Sequence, residues 1–409
     1  MTWLAVIALL SLFSGIEERV GGITLRPFDF VAALMTALLV YKVLARANIR
    51  LPTGYLLLLP FVFVHVFSAL MVGQSNGIRE GLQACVLMAF LLALCNADDP
   101  APRGAKWWVL FCATWAILAF NVGWHVNEGH YSGWKRLDEL KHTFSVATLL
   151  TMVWIAMRNF RPNFLQLALF GLLGGLILIS GERKALIVYV LSLLLILIGM
   201  RSSKAVVALV APIICVVAAS VFFVDDYVLR QLSSFAFETG YTQAGAPVSF
   251  SNEQRIFAFK AGMELFSQHP VFGVGTNRYQ MLVNRLFSYY PPFLRTSIHG
   301  EFFRIMVENG LVGLSAYLLI WIAAIHRTLR FVRYMKLTGE MDAPARKAYL
   351  FSFVIFYITA LIICGLEASG TEAFLFMALV SLWPDFSRIT MRRQRSQARQ
   401  TGMMALSRV

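Results

Sequence analysis

Long apolar segments alternate with short polar connections along almost the whole chain. A helix needs about 20 apolar residues to cross the hydrocarbon core of a bilayer, and about twelve segments approach or reach that length. These segments are 2–16, 28–45, 52–73, 80–96, 107–124, 143–157, 164–180, 185–200, 204–224, 302–325, 348–366 and 372–386. We therefore predict an all-α polytopic membrane protein with about twelve transmembrane helices.

The lysines and arginines of the short connections indicate which way the helices face. With twelve helices, these basic connections all fall on one side of the membrane. They lie at 42–50, 103–106, 158–161, 201–204 and 326–347. Short basic connections face the cytoplasm, so both termini are predicted to be cytoplasmic.

One polar connection, residues 225–301, is much longer than the others and would face the opposite side. This gives four parts: helices 1–9 (1–224), a large periplasmic loop (225–301), helices 10–12 (302–386) and a basic cytoplasmic tail (387–409). Within the loop, the sequence "NEQRIFAFKAGMELF" predicts an amphipathic helix. Its apolar residues at helical spacing are Ile256, Phe259, Met263 and Phe266. The turn sequence "HPVFGVG" would end that helix.

Composition agrees with a membrane protein. Hydrophobic residues make up 58% of the chain and charged residues 14%, against about 25% charged residues in soluble domains. The net charge of +14 could indicate nucleic acid, but basic loops that orient membrane helices explain it better. We predict membrane lipids and no nucleic acid as partners.

Several charged residues lie where a passive membrane protein would not place them. The tight connection "LISGERKALIV" contains Arg183 and Lys184 on the predicted trans side, where basic residues are disfavoured. Either they reach the headgroups by snorkelling, or they face a cavity that suits an anionic headgroup. Arg255 begins the loop helix, and His299 stands where the loop returns to the membrane.

Further charges enter the apolar segment that follows His299. Glu301 precedes Arg304 and Glu308, and the last two are spaced i, i+4, which favours pairing on one helix face. We interpret Arg304 and Glu308 as packing partners, with Gly310 and Gly313 allowing close helix contact. His65, inside the third segment, is interpreted as a hydrogen-bonded core residue.

Two further features are weak candidates for binding. Asp225 and Asp226 could hold a divalent metal, but a solvated helix end is the favoured interpretation. "GVGTNR" resembles a phosphate loop superficially, yet no strand precedes it, so a turn is favoured. No metal site and no cofactor is predicted.

Three segments in order match the pattern of a known family. They are "SGERKALIVYVL" (180–191), "QRIFAFKAGMELFSQHPVFGVGTNRY" (254–279) and "HGEFFRIMVENGLVG" (299–313). The chain resembles the O-antigen ligase and polymerase superfamily, bacterial membrane glycan transferases of the GT-C type. Gly300 stands where that family usually has Asn or another polar residue.

The resemblance implies an activity and residue roles. A glycan on undecaprenyl diphosphate would be transferred, with inversion and without metal, to an acceptor hydroxyl at the periplasmic face of the bacterial inner membrane. Arg183 and Arg255 would bind the diphosphate, and His299 would act as general base. Lys184, Arg278 and Glu301 are secondary candidates.

Two acceptors and two other functions stay open at this point. A growing glycan would make the protein a polymerase, and a lipid A core would make it a ligase; polymerase is slightly favoured because nothing in the sequence specifies a lipid A core. A transporter or flippase of the lipid-linked glycan is the alternative, although no repeated halves are visible. A metal-dependent GT-C enzyme using Asp225 and Asp226 is a third hypothesis.

Overall fold

The structure is a computed structural model of the chain. The structure describes residues 18–20, 23–25, 27–45, 49–73, 75–96, 163–180, 183–199, 250–298, 300–339, 341–366 and 373–385. It also describes scattered helical positions between 112 and 155. The predicted helices at 2–16 and 204–224, the Asp225–Asp226 pair and the basic tail lie outside the described residues.

The described part is mainly helical. A short antiparallel hairpin pairs β1 (Glu18–Val20) with β2 (Ile23–Leu25). The helices that follow lie close to the predicted segments or within the loop: α1 (Pro27–Leu44), α2 (Thr53–Val72), α3 (Ser75–Cys95), α4 (Phe164–Ser180), α5 (Arg183–Gly199), α6 (Phe250–Gln268), α7 (Tyr279–Leu286), α8 (Glu301–Leu337) and α9 (Ala343–Leu366). A further apolar helix, α10, spans Ala373–Asp385.

Among the described residues, three helices are long and apolar enough to cross a membrane: Thr53–Val72, Gly77–Cys95 and Glu301–Leu337. Shorter apolar helices accompany them. The protein is therefore a helical membrane protein. The short hairpin precedes α1 and adds no layer to this architecture; its β-branched residues Val20, Ile23 and Thr24 favour extended backbone.

Helix α8 is longer than predicted. The predicted segment ended at residue 325 and a polar loop was expected from 326, but the helix continues to Leu337. Arg and Lys are good helix formers, and cations at a helix C-terminus interact favourably with the helix dipole. Phe331 and Met335, spaced four apart, are buried along this extension, so packing stabilises it as well.

The main hydrophobic core joins α2, α3 and α8. Tyr317 of α8 lies at its centre, with ring centroids 5.2 Å from Phe61 of α2 and 5.0 Å from Phe302. Helix α8 also packs on α9, which in turn packs on α5. At the far end of α8, Arg327 Nη2 lies 2.6 Å from Asp385 Oδ2 of α10. These contacts fix α8 among its neighbours along its whole length.

A second, smaller core holds the loop segment, residues 250–298. Phe257, Ala261 and Leu265 of α6 are buried in it. The helix α6 was predicted correctly, but its predicted apolar face was partly wrong, since Phe259 and Met263 are exposed. The small residues Ala261 and Gly262 decide the face, because a β-carbon on Gly262 would lie 2.7 Å from the Phe303 ring of α8. Close helix contact therefore occurs on the side with the smaller side chains.

Candidate active site

At Thr276, the loop segment contacts the two apolar helices α2 and α8. The Thr276 hydroxyl donates to the carbonyl oxygen of His65 at 2.9 Å, and the Thr276 N–H donates to the Ser68 hydroxyl at 3.2 Å. Asn309 Nδ2 of α8 donates to the Thr276 hydroxyl at 3.0 Å. Thr276 is fully buried. The loop is thus anchored to both α2 and α8.

The same loop fills a break in α8. Gly310 has φ 66° and ψ −166°, which interrupts the helix and frees backbone groups on both sides. The N–H groups of Val274 and Gly275 donate to the carbonyls of Val307 and Glu308 at 3.0 and 2.9 Å. On the other side of the break, the N–H groups of Leu311 and Val312 donate to the carbonyls of Pro270 and Val271 at 2.9 and 3.2 Å.

These four backbone hydrogen bonds explain why a turn sequence stands at this point of the loop. Backbone groups left free inside a helix must find partners when they are buried, and "HPVFGVG" supplies them. The predicted turn at 269–275 is confirmed, since α6 ends at Gln268. The prediction for Gly310 needs correction: this residue breaks the helix instead of only permitting close helix packing.

A buried ionic cluster lies one turn from this break. Arg304 Nε and Nη2 donate to both carboxylate oxygens of Glu301 at 2.9 and 2.6 Å. Arg304 Nη1 donates to Glu80 of α3 at 2.7 Å and to Glu308 at 3.3 Å. His65 borders the cluster, with Nε2 3.7 Å from Glu80 Oε1. We call these five residues the Arg304 cluster.

Burial of the Arg304 cluster costs desolvation free energy, and the charged side chains are paired with one another. Glu301, Glu308 and Arg304 are at most 9% exposed, and taking such charges out of water costs on the order of several kcal/mol each unless they are paired. Three carboxylates meet one guanidinium, and the backbone of Asn277 also hydrogen-bonds to Glu308. A small cavity of about 20 Å³ beside Glu80, Glu301 and Arg304 has room for a water molecule.

The predicted pairing of Arg304 with Glu308 is confirmed, but it is one contact of a larger network. His65 is buried, as predicted, and it faces a carboxylate as well as apolar neighbours. Within the described residues, no group of three or more His, Cys, Asp or Glu side chains has a geometry that could hold a metal ion. The carboxylates of the Arg304 cluster are organised around the guanidinium.

The predicted site residues fall in different parts of this arrangement. Arg255 lies half-buried on α6, next to Gln254, whose Nε2 donates to the Phe293 carbonyl at 2.7 Å. Helix α6 packs on the first turns of α8 through Phe259 and Phe303, whose ring centroids are 5.0 Å apart. Arg255 is therefore held on a helix that contacts the start of α8.

The other predicted residues are only partly described. Arg183 begins α5, but its side chain and that of Lys184 lie outside the described residues, as does His299. The neighbours of His299 are described: Ile298 is buried in the loop core, and Gly300 precedes the first turn of α8. Arg278 donates from Nη1 to the Val274 carbonyl at 3.4 Å, which is a contact within the loop.

Gly300 fixes the chain beside His299. It has φ 105°, and a β-carbon built on it would lie 2.5 Å from the carbonyl oxygen of Gly365, near the end of α9. The Gly300 carbonyl accepts the Arg304 N–H at 2.9 Å. Helix α9 also packs on α5, the helix that begins with Arg183. Helix α9 therefore contacts both Gly300, the residue that follows His299, and the helix that begins with Arg183.

A comparison with known families decides the wider assignment. Residues 167–318 match the O-antigen ligase family. The match supports the O-antigen ligase and polymerase superfamily, and the matched region contains Arg183, Arg255 and His299 together with most of the Arg304 cluster. No curated protein gives a significant match to the chain. The family match and the apolar helices indicate a membrane-bound, glycan-transferring enzyme of O-antigen and lipopolysaccharide biosynthesis.

Sequence reasoning missed Glu80, which is also the carboxylate that His65 faces. Both Glu80 and His65 lie outside the matched residues 167–318, so the family pattern could not have indicated them. One signal was present: Glu80 is an ionisable residue at the first position of the predicted segment 80–96, and ionisable residues within membrane segments are functional candidates by default. Its partner Arg304 is 224 positions away, and only the fold brings the two together.

Proposed function

We propose that the protein is an inverting, metal-independent glycosyltransferase. It moves an undecaprenyl-diphosphate-linked glycan onto an acceptor sugar hydroxyl at the periplasmic face of the bacterial inner membrane. The observation that carries this proposal is the O-antigen ligase match over residues 167–318, which spans all three residues to which the resemblance assigns a role. The described contacts of α6, Gly300 and α9 support it.

The reaction is a single displacement. The acceptor oxygen attacks the anomeric carbon from the face opposite the diphosphate, and its proton passes to the His299 imidazole. The bond between the anomeric carbon and the diphosphate oxygen breaks, and the diphosphate leaves with the electron pair. Attack from the opposite face inverts the anomeric configuration. An unperturbed imidazole has a pKa near about 6.5, which suits a general base at neutral pH.

Arg183 and Arg255 stabilise the leaving group. Negative charge on the diphosphate grows as the glycosidic bond breaks, and a fixed cation aimed at that charge lowers the barrier. Arginine stays protonated and can bind phosphate oxygens in a bidentate manner. Two guanidinium groups supply the positive charge that a divalent metal supplies in other transferases, so no metal is required. Lys184, Arg278 and Glu301 are secondary candidates for the site.

The proposed topology agrees with this chemistry. About twelve transmembrane helices, both termini in the cytoplasm and a periplasmic loop at 225–301 would place Arg183, Arg255 and His299 on one side. A lipid-linked donor presents its headgroup there after flipping. Residues 1–224 and 302–386 would form the membrane domain, and 387–409 a basic tail at the anionic cytoplasmic leaflet.

Purified protein with lipid-linked repeat units tests the proposal. A ladder of longer lipid-linked glycans indicates a polymerase, which we slightly favour because nothing in the sequence specifies a lipid A core. Product only after lipid A core is added indicates a ligase. Activity that survives EDTA supports the metal-independent mechanism, and activity lost with EDTA but restored by a divalent cation contradicts it. Headgroup movement across liposomes without a new glycosidic bond would indicate the transporter alternative.

Matched variants test the residue roles. Arg183→Ala, Arg255→Ala and His299→Ala should each reduce transfer by about 100-fold or more, the size typical for the loss of one transition-state donor or of a general base. Arg285 and His269 are exposed residues of the same loop segment, so Arg285→Ala and His269→Ala should keep wild-type activity. Full activity of the three site variants would show that the mechanism is wrong.

A further inference from the structure

We propose that Arg304 is a positioning residue for the transfer reaction: it holds the first turn of α8, and with it His299, in a fixed relation to the loop helix that carries Arg255. This inference rests on the proposed function. It adds a residue, and a partner on α3, to which the family pattern gives no role.

Arg304 is close along the chain to the proposed base, His299. His299 is followed by Gly300 and Glu301, and Glu301 is the first residue of α8. The Arg304 N–H donates to the Gly300 carbonyl at 2.9 Å, and the Arg304 side chain binds both carboxylate oxygens of Glu301. One residue therefore holds, through backbone and side chain, the two positions that directly follow His299.

The other side of the Arg304 guanidinium contacts α3 and the next turn of α8. Nη1 reaches Glu80 of α3 at 2.7 Å, as well as Glu308 one turn further along α8. Because the guanidinium is a rigid planar fork, its donors have fixed directions. The first turn of α8 cannot rotate or shift relative to α3 without breaking at least one of these charge-assisted bonds.

Glu308 connects the Arg304 cluster to the loop segment. Glu308 hydrogen-bonds to the Asn277 backbone through its side chain, and its own carbonyl accepts the Gly275 N–H at 2.9 Å. The same loop segment contains α6 and Arg255. Glu308 thus contacts both Arg304 and the loop segment. The Arg304 cluster therefore couples the position of α6 to the position of the chain at Gly300.

Stability alone does not account for such a cluster. Buried ion pairs are often no more stable than apolar residues of similar volume, because desolvation offsets the attraction. The chain offers a direct comparison on the same helix. Arg327 also forms an ion pair, which is partly buried, with Asp385 at 2.6 Å, but it lies 28 positions from His299, in the second half of α8. A change at Arg327 reports what the loss of an ion pair does to folding alone.

The experiment compares Arg304→Lys with Arg327→Lys in the full-length protein in detergent. Lys keeps the charge but cannot form the fork. Transfer is measured as kcat and KM for the lipid-linked repeat unit, and the midpoint of thermal unfolding is measured alongside. We expect Arg304→Lys to lower kcat by about 10- to 100-fold, since misplacement by about 1 Å can cost that much. The donor KM should change by less than about threefold, because ground-state binding is retained. Arg327→Lys should lower the unfolding midpoint comparably and keep kcat.

A milder second variant covers the case in which Arg304→Lys does not fold. Glu80→Gln keeps the size of the side chain and one acceptor oxygen and removes the charge, and it should also lower kcat more than the donor KM changes. If Arg304→Lys folds and keeps the wild-type kcat, the positioning role is overturned. If Arg304→Lys does not fold, a wild-type kcat in Glu80→Gln overturns it. Equal effects on kcat from the Arg304 and Arg327 variants also overturn it, because they would show a role in stability alone. If wild-type protein forms no glycosidic bond, the proposed function fails instead.

Discussion

The Thr276 hydroxyl donates to the carbonyl oxygen of His65 across 211 positions of the chain. This bond joins the loop segment to a helix long and apolar enough to cross the membrane. Asn309 of α8 completes the contact by donating to the same hydroxyl. One buried side chain thus connects α2, α8 and the segment that carries Arg255, next to the Arg304 cluster.

Removing this hydroxyl should loosen the loop. Thr276→Val keeps the shape of the side chain but leaves Asn309 Nδ2 without its acceptor, which should lower the free energy of unfolding by about 1–3 kcal/mol. Denaturant titration in detergent measures the change. Thr338→Val is the matched control, because the Thr338 hydroxyl makes a 3.1 Å bond to the Tyr334 carbonyl at an exposed site. Equal effects of the two variants would contradict the anchoring role of Thr276.

Gly310 allows the loop to enter the break in α8. Gly310→Ala forces an alanine into φ 66° and ψ −166°, a backbone region that is essentially restricted to glycine and costs about 1–3 kcal/mol. It also places a β-carbon against the Val271 carbonyl, which adds about 1–3 kcal/mol of overpacking. Transfer activity and the unfolding midpoint should both fall. Gly339 also has φ 66°, but a β-carbon there would lie within 4 Å of none of the described residues, so Gly339→Ala should show only the smaller conformational cost. A similar loss from both variants would show that the Val271 contact is unimportant.

Gly300 stands where the family usually has a polar residue, and the fold explains why this chain does not. Gly300→Asn would place a side chain against the Gly365 carbonyl at an unfavourable φ of 105°. Because the strain acts on the residue next to His299, we expect kcat for glycan transfer to fall by at least about 10-fold. A β-carbon on Gly365, on the other side of the same contact, would lie within 4 Å of no residue that the structure describes, so Gly365→Ala should stay active. Wild-type transfer by Gly300→Asn would contradict the described packing.

Tyr279 should make the loop core sensitive to alkali. Its hydroxyl donates to the Ala258 carbonyl at 3.2 Å, and burial, together with the Glu308 carboxylate, raises the pKa of the phenol above its ordinary value of 10.0. The unfolded phenol ionises near about 10 while the folded one keeps its proton, so the free energy of unfolding falls above that pH, by up to about 1.4 kcal/mol per pH unit. Below about pH 10, Tyr279 gives the free energy of unfolding no pH dependence.

The measurement is the free energy of unfolding between neutral pH and pH values above the ordinary phenol pKa. Tyr279→Phe should be less stable at neutral pH by about 1 kcal/mol but show a shallower alkaline decline. Tyr289→Phe is the control, because Tyr289 is 75% exposed, and it should keep the wild-type decline. The same decline in Tyr279→Phe and wild type would contradict this prediction.

Much of the helical framework could be predicted from the sequence because its signals are local. Apolar length predicted α2 within a residue or two of Thr53–Val72, and helical spacing with a Pro-Gly turn predicted α6. The same local signals underestimated α8: the basic residues after 325 suggested a loop, whereas the packing of Phe331 and Met335 continues the helix to Leu337.

Only part of the Arg304 cluster could be predicted from local sequence signals. The i, i+4 spacing predicted the bond from Arg304 to Glu308, because both lie on one helix. The bond from Arg304 to Glu80 and the bond from Thr276 to His65 join positions more than 200 residues apart. Such contacts depend on how helices pack side by side, and a hydropathy pattern does not contain that information.

The sequence by itself determined that the chain is a helical membrane protein, and its motifs determined the resemblance to glycan transferases, because helix length, apolar content and motif spacing are properties of neighbouring residues. The tertiary structure alone decided that Gly310 breaks α8, that the loop supplies the backbone partners for this break, and that Glu80 completes the Arg304 cluster. The physical reason is that buried backbone groups and charges must be satisfied, and in this fold their partners come from segments far apart in the chain.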